Sequence, residues 1–268
     1  MRHLSVIRAA HRAALPMLAA PPNVLAIAAS DPTGGAGLQA DILTLASLGC
    51  HPLSVLTAYT VQDTRGVAAL HSVSAADLVA QARCVLADAP ALAIKIGVVG
   101  SAANAQAIAQ LLAEHARLPV VLDPVLASAR GDALGDEATL RALRELLLPR
   151  ATVATPNSME ARTLGGAAAM IALGCKYVLV TGTHEPGDDV VNVLHGAAGV
   201  MREDRWPRLR GSFHGSGCTL ASAIAARLAL GDEVAEAVRR AQDYTWCALE
   251  RGYRPGAGQQ VPDRLHAR

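Results

Sequence analysis

Apolar residues in this 268-residue chain fall into short unbroken runs separated by stretches with helical spacing. That alternation predicts an α/β fold with a mainly parallel central sheet and helices on both faces. Val24-Leu25-Ala26-Ile27-Ala28-Ala29 reads as the first buried strand, and Leu38–Leu48 as a helix that Gly49 stops. The series continues with a strand at Leu53–Thr57, a helix at Ala75–Ala87, a strand at Ala93–Val98 and a helix at Asn104–His115. Strands are then expected at Val120–Leu122, Ala151–Thr155 and Tyr177–Val180, with a helix at Glu137–Leu147. Val190–Leu194 and Gly199–Arg202 read as a hairpin around Gly196, followed by helices at Thr219–Leu230 and Glu233–Arg251. No repeat or linker interrupts residues 23–268, which read as one domain.

Composition narrows the class. A 51% hydrophobic fraction supports a sizeable core, and a net charge of +1 provides no field for nucleic acid or an anionic membrane. Small molecules are the expected partners. The cysteines at 50, 84, 175, 218 and 247 are odd in number and lack a C-x-x-C pair, which argues against a disulfide framework and a structural zinc site and for a reducing cytoplasm. Lysine occurs only at Lys95 and Lys176, and with the alanine excess this scarcity reads as codon bias. Residues 1–22 carry Arg2, Arg8 and Arg12 without an acid, and their apolar piece is too short for a targeting peptide, so a disordered extension is expected. No run reaches membrane-spanning length.

The candidate chemistry sits in loops beyond the strands' carboxyl ends, where open sheets of this kind bind ligands. His214-Gly215-Ser216-Gly217-Cys218-Thr219 precedes an apolar run and reads as an anion-binding nest at a helix N-terminus. There the helix dipole is expected to favour the Cys218 thiolate, making it a usable base. The same residues also read as a glycine turn beside a buried, inert cysteine. Gly35-Ala36-Gly37-Leu38-Gln39-Ala40 matches G-x-G-x-x-G/A, but its loop is longer than a dinucleotide fingerprint requires, and no P-loop motif exists. At Thr155-Pro156-Asn157-Ser158-Met159-Glu160, Asn157 and Glu160 read either as a capping box or as holders of Mg²⁺. Asp123, ending a strand before Pro124, reads as a turn residue or as a second acid near the metal.

Six motifs, in order, resemble the ribokinase-like kinases, and among them the hydroxymethylpyrimidine and phosphomethylpyrimidine kinases of thiamine biosynthesis. They are Ser30–Asp41, Thr57–Gln62, Lys95-Ile96-Gly97, Asp123-Pro124-Val125, Thr155-Pro156-Asn157 with Glu160, and His214–Thr219. The resemblance implies an ATP- and Mg²⁺-dependent transfer to a hydroxymethyl group or its phosphate, with Cys218 as base and the amides of Gly215, Ser216 and Gly217 stabilising the moving phosphoryl. It implies pyrimidine contacts from Gln62, Asp41 and Gly35, apolar walls from Val98 and Val125, metal contacts from Glu160, Asn157 and Asp123, and a homodimer. A flap is implied over Ala127–Asp136, which otherwise reads as a surface connection.

Three departures stand out. Val180-Thr181-Gly182-Thr183-His184 has Thr181 where the family has lysine near the donor phosphates, Ala161–Gly174 leaves room for little more than one helix and a turn, and Ala29 replaces glycine. The rival expectations are a pyridoxal or pyridoxine kinase on the same fold, a non-catalytic pyrimidine sensor, and an NAD(P) enzyme using Gly35–Ala40.

Overall fold

The computed structural model describes residues 20–126 and 135–266. Most of the expected N-terminal extension and of the expected flap therefore lie outside the described residues. Within them, nine strands form one sheet: β1 (Asn23–Ser30), β2 (His51–Asp63), β3 (Gly66–Ser72), β4 (Ala93–Ile96), β5 (Val120–Leu122), β6 (Val153–Ala154), β7 (Tyr177–Val180), β8 (Asp189–Gly196) and β9 (Gly199–Pro207). Their spatial order is β3-β2-β1-β4-β5-β6-β7-β8-β9. Strands β2, β1, β4, β5, β6 and β7 run parallel, and antiparallel pairings add β3 on one side and β8 and β9 on the other. The chain leaves β1 first toward β2 and later crosses to β4, so the order reverses between β1 and β4, and open sheets of this kind bind ligands beyond the strands' carboxyl ends at such a reversal.

Among the described residues, eight α-helices flank the sheet: α1 (Gly37–Ser47), α2 (Ala75–Asp88), α3 (Ala102–Glu114), α4 (Glu137–Ala142), α5 (Ser158–Thr163), α6 (Ala167–Ala172), α7 (Ser216–Ala229) and α8 (Val234–Glu250). Side chains alternate across each buried strand, because successive residues point to opposite faces. Leu25, Ile27, Ile94, Ile96 and Leu122 face one core with α2, α3 and α6. Val24, Ala26, Ala28, Ala93 and Val121 face the other, with α1, α7 and α8. The second face is built from smaller side chains, and Ala221, Ala223, Ala225 and Ala226 of α7 are fully buried against it. Small residues let α7 lie close to the strands, bringing its N-terminus to their carboxyl ends.

Several elements depart from expectation. Strand β2 runs past Thr57 to Asp63 and turns through Thr64-Arg65 into β3, where Asp63 Oδ1 accepts from the Arg65 and Gly66 amides at 2.7 and 3.1 Å. This hairpin lacks a continuous apolar run because one of its faces is exposed. Two helices rather than one occupy Ser158–Ala172, separated by Gly165 and Gly166, whose φ values of 91° and 87° end one helix and admit the next. The helix expected at Glu137–Leu147 is α-helical only to Ala142, then widens into a π turn over Leu143–Leu147 and tightens into a 3₁₀ turn containing Pro149. No helix among the described residues is long and apolar enough to cross a membrane.

Candidate active site

Helix α7 begins at Ser216, three residues before the expected start, so Cys218 lies inside its first turn. Gly215 caps it in the left-handed region (φ 81°, ψ 18°), and its carbonyl accepts from the Thr219 amide at 3.0 Å. The amides of Ser216, Gly217 and Cys218 are then the helix's orphan donors. Gly217, inside the first turn, has no positive φ. A Cβ there would stand 3.5 Å from Asp123 Oδ2, which places the first turn of α7 directly against that carboxylate. The amide of Gly37, at the start of α1, also faces the Cys218 sulfur. Two helix N-termini and the end of β5 thus converge on one thiol.

One turn deeper, the same two helices carry a buried polar cluster. Residues four apart share a helix face, so Asp41 lies beneath Gly37 and Ser222 beneath Cys218. Lys95, from the face of β4 that looks toward α7, places Nζ 2.8 Å from Asp41 Oδ1 and 2.9 Å from Oδ2, and Ser222 donates to Oδ1 at 2.8 Å. Lys95 and Asp41 are both 0% exposed. Asp41 is therefore committed to its buried partners and not presented to a ligand ring, which corrects the direct contact expected of it. Gly97 follows from the same cluster, since a Cβ there would meet Lys95 Nζ at 2.7 Å.

The electrostatics follow from this enclosure. Burial works against the Lys95 ammonium, but Asp41, Cys218 and Asp123 outweigh it and hold its pKa above the ordinary lysine value. The Cys218 thiol goes the opposite way to the sequence expectation. Burial pushes it up to about 12, with Asp123 and Asp41 adding to the rise and Lys95 opposing it. The thiol is half-buried, and desolvation beside two carboxylates opposes the favour that a helix N-terminus gives a thiolate. Asp123 is raised by burial to about 6, with Lys95 and a hydrogen-bonding contact to Cys218 pulling it back.

The acceptor side is organised by Asp31. Its carboxylate accepts from the Thr33 amide (2.8 Å), Thr33 Oγ1 (2.8 Å) and the Ala36 amide (2.7 Å). His214 Nε2 lies 2.8 Å from Oδ2. Burial alone would raise Asp31, but hydrogen bonds from His214, Gln62 and Thr33 win and hold it well below the usual carboxylate range. An ionised carboxylate only accepts, so His214 donates through Nε2. The half-buried Gln62, on the β2–β3 hairpin, is thereby brought to the same loop. Gly35 is packed rather than open: a Cβ would strike the His214 ring at 2.3 Å. Asp31 consumes two amides of the Gly-rich loop that a dinucleotide pyrophosphate would need, which argues against the NAD(P) expectation. Val98 and Val125 are half-buried just beyond β4 and β5, with the Val98 carbonyl tied to Thr57 Oγ1 at 2.6 Å.

On the donor side the capping box prevails for Asn157. Its Oδ1 accepts from the Met159 and Glu160 amides, both at 2.9 Å, and Glu160 Oε2 accepts from the Asn157 amide at 2.9 Å. This corrects the expectation of Asn157 as a metal holder. Glu160 is raised to about 7 by burial and by the charge of Asp123. Asp123 Oδ2 and Thr155 Oγ1 are buried without a partner. Two mutually repelling carboxylates and an orphaned hydroxyl make an all-oxygen donor set of the kind Mg²⁺ takes with water and phosphate completing its shell. Among the described residues no three His, Cys, Asp or Glu side chains converge as a protein cage. Thr181 adds no positive charge, and Arg208 donates instead to the carbonyls of Thr183, Glu185, Gly187 and Asp189.

Lys95, Asp31 and His214 stand in the sequence motifs without an assigned task, and Ser222 and Arg264 were missed altogether. A lone lysine inside an apolar strand was the available signal, since a buried lysine requires an acid.

A fold with this strand order, thiol and carboxylate pair is that of the ribokinase-like kinases. The crystal structure of an ADP complex of Bacillus subtilis pyridoxal kinase superposes with a TM-score of 0.83 at 26% identity, covering 91% of this chain and 98% of that one. The chain belongs to the phosphomethylpyrimidine kinase family, whose model matches residues 31–263. It is 42% identical over 254 residues to the hydroxymethylpyrimidine/phosphomethylpyrimidine kinase of Streptomyces coelicolor, covering 89% of this chain and 92% of that protein. It is 40% identical to the thiamine biosynthesis bifunctional protein of Geobacter sulfurreducens over 88% of this chain, and spans about half (51%) of that longer relative.

Proposed function

We infer that the protein transfers the terminal phosphoryl group of ATP to 4-amino-5-hydroxymethyl-2-methylpyrimidine, to its monophosphate, or to both, in thiamine biosynthesis. The observation that carries this reading is the convergence of α1, α7 and Asp123 on Cys218 in a chain of this family. The orphan amides at the start of α7 suit a trigonal phosphoryl in transit, whose charge fixed dipoles stabilise without reorganising. Gln62 offers both a donor and an acceptor to an aminopyrimidine edge, with Gly35 shaping the loop beneath it and Val98 and Val125 as apolar walls.

The protonated thiol changes how the base acts. In our reading the hydroxymethyl proton passes to the Cys218 sulfur as the thiol proton moves to Asp123, whose carboxylate is poised near neutrality. One O–H bond breaks, one S–H bond is exchanged for another, and the carboxylate ends protonated while the alkoxide bonds to the γ-phosphorus, the bond from that phosphorus to the β,γ-bridging oxygen breaks, and ADP leaves with its electron pair. Lys95 and Asp41 act as positioning residues that fix the charge beneath the sulfur. Mg²⁺ would be held by Glu160 with Thr155 beside it and would supply screening of the donor phosphates, while Asp123, expected as a further metal contact, is reserved for the proton.

Phosphorylation of pyridoxal is the second reading, favoured by the backbone likeness to a pyridoxal kinase. Coupled release of ADP with hydroxymethylpyrimidine, its monophosphate and pyridoxal as separate acceptors decides between them. Release with either pyrimidine supports the first reading, release with pyridoxal alone replaces it, and pyrimidine binding without turnover indicates a sensor. We place the protein in the cytoplasm, where its five free cysteines stay reduced. We place a second protomer against the hairpin bearing the exposed Tyr59 and Val61.

A further inference from the structure

The C-terminal segment carries a buried arginine that none of the steps above uses. Arg264 is 3% exposed, yet its guanidinium meets no carboxylate among its hydrogen-bond partners. Nε donates to Thr219 Oγ1 at 3.0 Å, one terminal nitrogen to the Gly34 carbonyl at 3.3 Å, and the other to the carbonyls of Gly35 and, at 3.5 Å, Gly215. Gly34 and Gly35 belong to the acceptor loop, and Gly215 and Thr219 to the mouth of α7. These two pieces touch backbone to backbone: a Cβ on Gly215 would stand 1.8 Å from the Gly35 carbonyl oxygen and 2.7 Å from an Arg264 terminal nitrogen.

The segment is itself anchored. Tyr244 donates to the Arg264 carbonyl at 2.6 Å, and the Asp263 amide to Ala248 at 2.9 Å. The Gln259 amide reaches the Thr64 carbonyl at the tip of the β2–β3 hairpin at 3.0 Å, and the His214 amide reaches the Gln260 carbonyl at 2.8 Å. A buried cation is costly unless its donors are met. An apolar side chain would have filled the space at lower cost, but it could not have bonded two separate loops. The planar fork of arginine can, with donors in fixed directions, whereas a lysine ammonium cannot hold the same four acceptors at once.

The geometry points to Arg264 as a positioning residue that keeps the acceptor-binding loop in register with the phosphoryl-transfer end of α7. This rests on the kinase reading, and the consequence is catalytic because a displacement of about 1 Å between reacting groups costs roughly a hundredfold in rate.

The test compares Arg264→Gln, Arg264→Lys and Arg264→Gly in the full chain. Steady-state rates per folded molecule are measured well below the melting temperature, alongside the rate at which iodoacetamide alkylates Cys218, followed by peptide mass. Arg264→Gln and Arg264→Lys should each lose about 10- to 100-fold in kcat while the KM for ATP changes less than threefold. Cys218 should be alkylated severalfold faster in both as the loops part, and millimolar guanidinium ion should slow that alkylation and restore part of kcat in Arg264→Gly. Wild-type kcat per folded molecule in Arg264→Gln, or unchanged alkylation in all three variants, would overturn the proposal. If the wild-type chain phosphorylated no pyrimidine, the kinase reading would fail, and the alkylation rates and their response to guanidinium ion would still decide the role of Arg264.

Discussion

The two faces of the sheet perform different tasks with the same alternation of side chains. On the α2–α3 face, β1, β4 and β5 present Leu25, Ile27, Ile94, Ile96 and Leu122, bulky aliphatic groups packed against an apolar helix layer. On the α1–α7 face the same strands present alanine and valine, and one position, Lys95, is charged. Bulk on the first face holds the sheet together. Smallness on the second lets two helices approach until their N-termini and a buried ion pair meet at one thiol. Catalytic geometry here is a product of what the second face leaves out.

That contrast can be broken from either side. Cys218→Ala should have the largest effect, lowering turnover by about 10²- to 10⁴-fold while calorimetry shows pyrimidine binding little changed. Undiminished turnover would show that the face's small side chains position something other than a base. Lys95→Met should cost about 3–5 kcal/mol in urea denaturation, because it strands the Asp41 carboxylate in a dry interior. Lys95→Met with Asp41→Leu should recover much of that stability but not activity, separating the pair's structural cost from its electrostatic use.

The aliphatic face answers differently. Ile108 of α3 is fully buried, and Ile108→Ala should cost about 2–5 kcal/mol with kcat per folded molecule unchanged. A matching loss of kcat would mean the two faces are coupled. A smaller, pH-dependent effect is expected at Asp31. Its folded-state pKa lies below the ordinary value of 3.8, so the native state binds fewer protons there than the unfolded chain. The associated stability is present above about pH 4 and is lost as pH falls toward the folded value. Thermal melting of Asp31→Asn should therefore show a shallower acid limb than the wild type, and identical limbs would remove Asp31 from the account.

The sequence made the strand and helix series legible wherever burial was two-sided. Val24–Ala29 and Tyr177–Val180 announce themselves as apolar runs, and they are strands in the structure. The β2–β3 hairpin is half-exposed and alanine-bearing, so no run marked it, and its partnership with Asp31 through Gln62 depends on a long-range meeting no local pattern carries. The thiol, Asp123 and Glu160 were legible as residue types in motifs, whereas their charge states were not, since these depend on burial. Asp41 shows the limit most clearly. A polar residue early in a helix looks like a ligand contact until Lys95, 54 positions away, is found against it. Asn157 shows the reverse: its capping spacing was plain, and the cap is what it does.

The central claim is that the acceptor alcohol loses its proton at the sulfur between the two helix ends. The most direct measurement is a crystal structure with hydroxymethylpyrimidine and a non-hydrolysable ATP analogue bound together. The account predicts the hydroxymethyl oxygen within about 3.5 Å of Cys218 Sγ, with the terminal phosphoryl facing the amides of Ser216 and Gly217. An alcohol oxygen lying roughly 6 Å or more from the sulfur, beyond the reach of a single bridging water, would contradict it.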